Sequence, residues 1–379
     1  MIYFDNAATC GKKPDVVNKK LESLIKSAGV NVGRGVYADA KKAEETVFNC
    51  RSFLSKTVNN GHIARLIFTS NCTHALNQMI FGVNLKGTEI VTSVTEHNSV
   101  LRPLYRLAEK NNLTLRFAGT DESGKVNAEN LIGLLNEKTA FVILNAVSNV
   151  TGIKNDFEEI GRKINGATPY FVDCAQYGGH GEVDMQKTKI SALAFAGHKG
   201  LYATQGIGAL AVNKNIDLIP LMYGGSGSET FSKIPSCYPE KLEAGTLNYP
   251  AIVSLYYGAK YAYDNLNLTK TTLKNLTKRL IDGLFTFKHI KVYSPVNEFG
   301  IVSFEVENLS SLKLAEVFSE NFGISVRGGF HCAPLMHKYL KTDENGLIRV
   351  SLSPFNTENE IDEFLNVLPI DRKSTRLNS

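Results

Sequence analysis

The chain has 379 residues, of which 43% are hydrophobic and 21% charged, and its formal net charge is +5. This composition is ordinary for a globular protein and excludes collagen-like, low-complexity and disordered classes. Basic residues are spread along the chain and form no stripe of the kind that binds nucleic acid. The longest strongly apolar stretch, Thr139–Val147, is well short of the roughly 18 residues that a membrane-spanning helix needs. We therefore expect neither a nucleic-acid partner nor a membrane span.

The first residues of the chain indicate where the protein is located, and the last residues raise the question of whether they are native. Met1–Thr9 contains neither a basic leader nor an apolar signal core, so we expect a cytoplasmic protein with six reduced cysteines. No two cysteines have Cys-x-x-Cys spacing, and we expect no metal site. Residues 371–379 resemble the translation of a sequencing adapter, and we interpret them as non-native. The alternative is a genuine basic tail. Without these residues the net charge is +3.

Apolar runs of strand length alternate with helical segments through the first part of the chain. Helical patterns include Ser99–Asn111 and Glu129–Asn136. The alternation predicts an α/β fold with a mostly parallel sheet that is buried on both faces. The predicted strands are Leu66–Thr69, Glu89–Ser93, Thr114–Ala118, Ala140–Asn145, Tyr170–Asp173, Ala192–Ala196 and Gly208–Val212.

The pattern changes after Pro250. The predicted segments there are the helices Ala251–Asn265, Lys270–Phe287 and Leu312–Asn321 and the strands Ile301–Val306 and Leu347–Leu352. A chain of this length exceeds what one hydrophobic core usually supports. We therefore predict a large domain over residues 15–256 and a smaller α+β domain formed by residues 1–14 and 257–370.

Polar residues follow three of the predicted strands, at the edge where open α/β sheets bind ligands. Ser70–His74 begins a helix, which is typical of a phosphate site and equally of ordinary helix capping. Asp173 ends a buried strand and needs a cationic partner, either a nearby Lys or Arg or the protonated ring nitrogen of a cofactor. Lys199 taken alone is a surface lysine, but when desolvated it has the low pKa that Schiff-base chemistry requires. Together these features are consistent with a pyridoxal phosphate site.

Several motifs, in their order and spacing, resemble the class V aminotransferase-like family of fold-type I pyridoxal phosphate enzymes. Within it they are similar to the branch of cysteine desulfurases and selenocysteine lyases. The resemblance covers nearly the whole chain and implies L-cysteine or L-selenocysteine as substrate, a homodimer and a sulfur-acceptor protein. The motifs are Tyr3–Thr9, Thr95–Asn98, Ser148–Gly152, Gly197–Gly200, Glu243–Asn248, Ser325–Pro334 and Asn356–Glu358.

The resemblance also implies how the cofactor is held. Lys199 would bind it covalently, Asp173 would pair with the pyridine nitrogen and Gln176 would contact the ring hydroxyl. The other implied contacts are stacking by His97, a contact near the ring hydroxyl and substrate carboxylate by Asn149, phosphate binding by Thr73, His198 and the Cys72 backbone, and binding of the neighbouring subunit's phosphate by Thr246. Taken singly, the alternatives for His97, Asn149 and Thr246 are turn or capping residues.

The segment around Cys332 bears on lyase chemistry. Glycines on both sides of a turn let the backbone present a side chain, and His331 beside Cys332 would favour a thiolate. By the resemblance, Cys332 is the catalytic cysteine, Arg349 binds the substrate carboxylate and Arg34 belongs to a substrate-binding loop. The alternatives are a buried apolar cysteine and a surface arginine on an edge strand.

The predicted function is that of a cysteine desulfurase, which forms alanine and a persulfide on Cys332. Lys199 would move the α-proton, and His97 would assist proton transfer. The alternatives are a selenocysteine lyase, an aminotransferase or another lyase on the same fold, and a non-catalytic sulfur-transfer partner. A dinucleotide-binding oxidoreductase has no support, because no Gly-x-Gly-x-x-Gly fingerprint follows the first strand.

Overall fold

The computed structural model describes residues 1–26, 29–33, 35–227 and 229–368. Arg34 and the segment 371–379, both singled out above, lie outside the described residues. The strands are β1 (Ile2–Tyr3), β2 (Leu66–Thr69), β3 (Glu89–Ser93), β4 (Thr114–Ala118), β5 (Thr139–Asn145), β6 (Tyr170–Asp173), β7 (Ala192–Ala196), β8 (Gly208–Val212), β9 (Ile290–Val292), β10 (Ile301–Val306), β11 (Ile324–Ser325) and β12 (Ile348–Ser351).

Two helices precede the first strand of the large sheet, and helices and strands then alternate as far as β7. They are α1 (Asp15–Ile25), α2 (Ala38–Val58), α3 (Cys72–Gly82), α4 (Asn98–Asn111), α5 (Ala128–Ile132), α6 (Phe157–Ile164), α7 (Met185–Thr188), α8 (Tyr249–Asp264), α9 (Leu266–Leu284), α10 (Ser311–Phe322), α11 (Pro334–Leu340) and α12 (Glu358–Val367). None of the described helices is long and apolar enough to cross a membrane.

The large sheet has seven strands in the order β2-β8-β7-β6-β5-β3-β4. Strand β8 is antiparallel to both of its neighbours, and the other pairs are parallel. The carboxyl ends of β2, β3, β5, β6 and β7 therefore meet at one edge. Asn145 and Asp173 are paired in register at that edge, which brings the ends of β5 and β6 together.

Both faces of this sheet are buried at its central strands, as their apolar runs predict, whereas the edge strand β4 is partly exposed. In β5, Phe141 and Ile143 join a cluster on one face, whereas Val142 and Leu144 join the cluster on the other. Successive side chains of a strand point to opposite faces, so a strand covered on both sides is apolar throughout. The helices provide that cover, with α3 packed on α4 and with α1 and α2 packed on α8.

The C-terminal part of the chain builds two small sheets around a third apolar cluster. Strands β12, β10 and β9 form an antiparallel sheet, and β1 pairs in parallel with β11. Ile2 and Phe4 pack into the cluster formed by α9, α10, α12 and this antiparallel sheet. The N-terminal strand thus packs among the last elements of the chain. Because of this packing, the motif that begins at Tyr3 lies near the carboxyl ends of the strands of the large sheet.

The structure corrects two predicted helices. The helix predicted over Glu129–Asn136 ends at Ile132, because Gly133, a weak helix former, follows it. The helix predicted to begin at Lys270 begins at Leu266, directly after α8. Only Asn265 separates α8 from α9, and its side-chain amide donates to the carbonyl of Tyr261 at 2.8 Å. Such competition for a backbone carbonyl is typical of Asn at a helix end.

Candidate active site

A cavity of about 230 Å³ opens at the shared carboxyl edge of the large sheet, beside the start of α3. Because the strands are parallel, residues that follow different strands meet there although they are distant in sequence. The sequence-predicted residues that line the cavity are Cys72, Thr73, His97, Asn149, Asp173, Gln176, His198, Lys199 and Arg349.

Lys199 and Asp173 both line this cavity, and their charges influence each other. Burial lowers the pKa of the Lys199 amine, and the negative charge of Asp173 is the strongest influence in the opposite direction. Burial likewise raises the pKa of Asp173. No residue in the described part of the chain forms a hydrogen bond or ion pair with Lys199 Nζ. Lys199 is partly buried and lines the cavity, so the surface-lysine alternative is wrong.

Only one of the two oxygen atoms of the Asp173 carboxylate forms hydrogen bonds with the described residues. Its Oδ1 atom accepts a hydrogen bond from the backbone N–H of Ala175 at 2.8 Å. The thiol of Cys72 donates to the same atom at 3.7 Å. Among the described residues no hydrogen bond reaches Asp173 Oδ2, which leaves one carboxylate oxygen for a cationic or N–H partner in the cavity.

The N-terminus of α3 lies at the lining of the cavity. Asn71 caps the helix, with its Oδ1 atom accepting from the backbone N–H of His74 at 2.8 Å. The first N–H groups of a helix have no partner within it, and those of Cys72 and Thr73 lie at the cavity lining. Gly208 packs against this turn, where a Cβ atom would lie 2.8 Å from the backbone nitrogen of Cys72.

His97 caps helix α4 and also lines the cavity. Its Nδ1 atom accepts a hydrogen bond from the backbone N–H of Ser99 at 3.0 Å, at the start of α4. The proton of the neutral ring is therefore on Nε2. Burial, together with the positive charges of Lys199 and Arg349, lowers the pKa of His97 to about 4. The ring is neutral near pH 7.

Arg349 is buried beside the cavity, which makes the surface-arginine alternative wrong. Its Nη1 atom donates to the backbone carbonyl of Asn149 at 3.0 Å, and its Nη2 atom donates to Asp5 Oδ1 at 2.9 Å. In the described part of the molecule Nε has no partner although it is buried. The guanidinium thus keeps N–H groups for an anion in the cavity.

Cys332 is exposed and lies outside the lining of the cavity, so the buried-cysteine alternative is wrong. Its carbonyl oxygen accepts from the backbone N–H of Asn98 at 2.7 Å. The preceding carbonyl, that of His331, accepts from the side chain of Asn149 at 2.7 Å. His331 and Cys332 have φ angles of +48° and +56°, an uncommon backbone conformation for residues other than glycine. Two hydrogen bonds thus fix this turn to residues next to, or lining, the cavity.

His331 does not act on Cys332 as the sequence suggests. Its Nε2 atom donates to the carbonyl oxygen of Leu347 at 3.1 Å. Burial, with the nearby charge of Arg349, lowers the pKa of His331 well below its ordinary value. The ring is neutral and carries no positive charge that would favour a thiolate, so that expectation is wrong.

Thr246, like Cys332, lies outside the lining of this cavity. It lines a second cavity, of about 370 Å³, together with Ser70 and His74 at the outer side of the α3 turn. The helix that follows is capped by Asn248, whose Oδ1 atom accepts from the backbone N–H of Ala251 at 3.3 Å. Capping by Thr246 is therefore wrong.

No function was predicted from the sequence for two charged residues of the site. Arg327 lines the cavity, and it lies opposite Arg349 across an antiparallel bridge. Asp5 forms the ion pair with Arg349 described above. Asp5 lies in the motif Tyr3–Thr9, and Arg327 lies in the motif Ser325–Pro334. Membership of these motifs is the only sequence signal that points to the two residues.

The donor set of the cavity fits pyridoxal phosphate at each of its groups. The start of α3 suits the phosphate, and the buried Nδ1 atom of His198 has no hydrogen-bond partner among the described residues. The half-free carboxylate of Asp173 suits a protonated ring nitrogen, and the Lys199 amine suits an aldehyde.

Known proteins resemble this chain over nearly its whole length. The family described as Aminotransferase class-V matches residues 2–364. A protein of Pyrococcus abyssi named "Probable cysteine desulfurase" is 35% identical, over 99% of this chain and 95% of its own. A protein of the same name from Methanothermobacter thermautotrophicus is 33% identical, over 95% and 92%. The apo structure of a cysteine desulfurase from Thermococcus onnurineus NA1 has a TM-score of 0.87 and 31% identity, covering 97% of this chain and 93% of that one.

The chain belongs to the class-V aminotransferase family, whose members depend on pyridoxal phosphate. Within that family it is a homologue of cysteine desulfurases over nearly its whole length. The predicted α/β fold, with a mostly parallel sheet and a smaller antiparallel one, is confirmed.

Proposed function

We propose that this protein is a pyridoxal phosphate-dependent cysteine desulfurase, which converts L-cysteine to L-alanine and takes up the sulfur atom on Cys332 as a persulfide. The observation that supports it most is the fixed position of an exposed thiol beside the Lys199 cavity. The turn of Cys332 is hydrogen-bonded to Asn98, the neighbour of His97, and to Asn149. Both His97 and Asn149 line that cavity.

Each chemical group of pyridoxal phosphate has a residue of this chain that is suited to bind it. Lys199 would bind the cofactor covalently, Asp173 would pair with its ring nitrogen, and His97 would contact the ring. Gln176 and Asn149 would contact the ring hydroxyl, and Thr73, His198 and the Cys72 backbone would bind the phosphate. Support comes from the cavity lining and the unpartnered atoms described above. When bound, pyridoxal phosphate supplies an electron sink for the electron pair of the substrate α-carbon.

The residues of the chain bind the substrate and move its protons. Arg349 binds the carboxylate of cysteine through N–H groups that Asp5 and Asn149 leave free. The Lys199 amine, whose pKa is lowered by burial, accepts the α-proton and returns a proton to the product. The neutral ring of His97, which lines the same cavity, assists this proton transfer.

The sulfur transfer itself uses the exposed thiol. The Cys332 sulfur attacks the substrate sulfur, so that an S–S bond forms and the C–S bond of the substrate breaks. The electron pair of the C–S bond stays with the carbon, which takes a proton and becomes the methyl group of alanine. A thiol and cysteine thus give a persulfide and alanine, and no external oxidant or reductant is needed.

Several features of the assembly belong to the same proposal. Residues 15–256 form the cofactor domain, and residues 1–14 and 257–370 form the smaller domain. Support comes from the pairing of β1 with β11 and from the packing of Phe4 on the C-terminal cluster. Thr246 reaches the phosphate of the neighbouring subunit in a homodimer, and an acceptor protein receives the sulfur from the persulfide.

Product analysis tests the proposal. The purified protein with added pyridoxal phosphate is incubated with L-cysteine, with L-selenocysteine and with an amino acid plus a keto acid. A cysteine desulfurase forms alanine from L-cysteine in amounts equal to the sulfur released. Amine transfer to the keto acid without alanine from cysteine would show an aminotransferase. Alanine from selenocysteine alone would show a selenocysteine lyase, and either result would overturn the proposal.

A further inference from the structure

We propose that Glu96 is a positioning residue of this site, which holds the turn before α4 against the end of β5 as an uncharged carboxylic acid. Glu96 directly precedes His97 in the turn that follows β3, and it does not line the cavity itself. The inference rests on the proposed function only in that the cavity holds pyridoxal phosphate.

The Glu96 side chain is fully buried and connects two strand ends. Its Oε1 atom accepts hydrogen bonds from the Ser93 hydroxyl at 2.7 Å and from the backbone N–H of Asn145 at 3.0 Å. Ser93 ends β3 and Asn145 ends β5, so a single oxygen atom binds both strands. Glu96 thereby connects the turn that leads to His97 with the strand end that is paired in register with Asp173.

The side chain of Asn145 extends this connection. Its amide group donates to the backbone carbonyl of Thr95 at 2.6 Å. Its Oδ1 atom accepts from the Thr95 hydroxyl at 2.9 Å and from the Asn155 amide at 2.7 Å. All three residues are buried, and Asn145 lines the cavity. A change at Glu96 is therefore expected to displace groups at the cavity lining, Asn145 directly and His97 through the turn.

No cation accompanies the Glu96 carboxyl group among the described residues. Its Oε2 atom is buried and has no hydrogen-bond partner there. The titratable groups that interact with Glu96 belong to β6, namely Asp173, whose negative charge opposes ionisation, and Tyr170, whose hydroxyl is neutral. Burial raises the pKa of Glu96 to about 8. An unpaired buried charge is costly, so the carboxyl group keeps its proton at neutral pH.

The first test compares the wild-type protein with Glu96→Gln, whose amide has the shape of the acid and cannot ionise. The pKa of this carboxyl group is 4.5 in the unfolded chain and about 8 in the folded one. Between these values the folded protein binds the extra proton, so stability is lost as the pH rises. In urea unfolding of the loaded protein at about pH 6 and about pH 8, the unfolding equilibrium constant should rise at least about tenfold more in the wild type. Equal rises in both proteins would overturn the proposal.

Glu243→Gln is the matched control, because Glu243 is also a buried acid but pairs with Arg51. This variant should be less stable than the wild type at both pH values, since the buried guanidinium loses its counter-charge. Glu96→Gln should be at least as stable as the wild type at about pH 8. A large loss of stability in Glu96→Gln at both pH values would show that the site requires a charged Glu96, which contradicts the neutral form.

The second test measures the dissociation constant of pyridoxal phosphate by adding it to the cofactor-free protein. Glu96→Ala removes both hydrogen bonds and should raise this constant at least about tenfold, whereas Glu96→Gln should stay within about twofold of the wild type. Unchanged binding in Glu96→Ala, or equally weak binding in Glu96→Gln, would refute the positioning role. If Glu96→Ala does not fold, Glu96→Gln still decides the proposal. Neither test involves turnover, so a protein that forms no alanine from cysteine would refute the proposed function and leave the role of Glu96 intact.

Discussion

The carbonyl oxygen of Cys332 accepts a hydrogen bond from the backbone N–H of Asn98 at 2.7 Å. Asn98 is the first residue of α4, directly after His97, which caps that helix and lines the cavity. The turn of the exposed thiol is therefore fixed to the site through the backbone, and the Cys332 side chain takes no part in that attachment. The thiol can be removed without disturbing the cavity.

Replacing Cys332 with Ala should abolish sulfur transfer and leave the cofactor in place. We expect alanine formation from cysteine to fall at least about 100-fold, because the nucleophile that accepts sulfur is lost. The absorbance of the bound cofactor should be unchanged. Cys237→Ala is the matched control, since Cys237 is the other exposed thiol among the six free cysteines. Undiminished turnover in Cys332→Ala would refute the persulfide role.

Replacing Lys199 with Ala should remove the covalent attachment of the cofactor. The wild-type protein should yield a cofactor adduct that borohydride fixes to the chain, whereas Lys199→Ala should yield none. We expect its turnover to fall by about a thousandfold or more, because the base at the α-carbon is lost as well. Lys214→Ala, at an exposed lysine, is the control. A borohydride-fixed adduct in Lys199→Ala would show that another amine binds the cofactor.

The buried pair Arg51–Glu243 should contribute strongly to stability. Two hydrogen bonds of 2.8 and 2.9 Å join them, their side chains are 8% and 6% exposed, and Glu243 also accepts from the backbone N–H of Phe68. Arg51→Met leaves a buried carboxylate without its cation, so the free energy of unfolding should fall by about 3–5 kcal/mol.

The matched control for this prediction is Arg279→Met. Arg279 pairs with Asp362 at the surface, where the two side chains are 42% and 43% exposed. Such pairs contribute about 1 kcal/mol or less. Urea unfolding of both variants measures the difference, and equal small losses would contradict a stabilising role for the buried pair.

His180 should make the protein less stable in mild acid. Burial, with the charge of Lys270, lowers its pKa to about 4, whereas in the unfolded chain it titrates near 6.5. Between these values the unfolded chain binds more protons, so the stabilisation is present above the unfolded pKa and is lost as the pH falls toward the folded one.

The expected size of this effect is about 2 kcal/mol in the free energy of unfolding between about pH 7.5 and about pH 5. Urea unfolding at both pH values compares the wild-type protein with His180→Gln, which has no titrating ring. The loss on acidification should be smaller in the variant by about this amount. Equal losses in the two proteins would show that His180 is protonated as readily in the folded state as in the unfolded one.

The central strands of the large sheet were predictable because burial on both faces makes them largely apolar, whereas the edge strand β4 is partly exposed. The helices α1 and α2 were not predicted. In α2 the buried positions include Ala40, Ala43, Val47 and Leu54, which have helical spacing. Small residues among many charged ones make that pattern weak, and the helix is stabilised mainly by packing on α8.

The site residues that lie at the ends of parallel strands were predictable. Asp173 ends β6 and Lys199 follows β7, and these strands are parallel neighbours, so the topology brings the two residues together. The pairing of Asp5 with Arg349 spans 344 residues and depends on how the N-terminal strand packs against the last elements, which no local pattern specifies. The positive φ of Cys332 could not be predicted from the sequence either, since glycine is the residue that indicates such a conformation.

The central claim is that Cys332 takes sulfur from cysteine, and mass spectrometry of the loaded protein after incubation with L-cysteine tests it most directly. The account predicts the added mass of one or more sulfur atoms on the peptide that contains Cys332, removable by a thiol reductant, together with L-alanine as the amino-acid product. An unmodified Cys332 peptide with alanine accumulating in the same sample would contradict it.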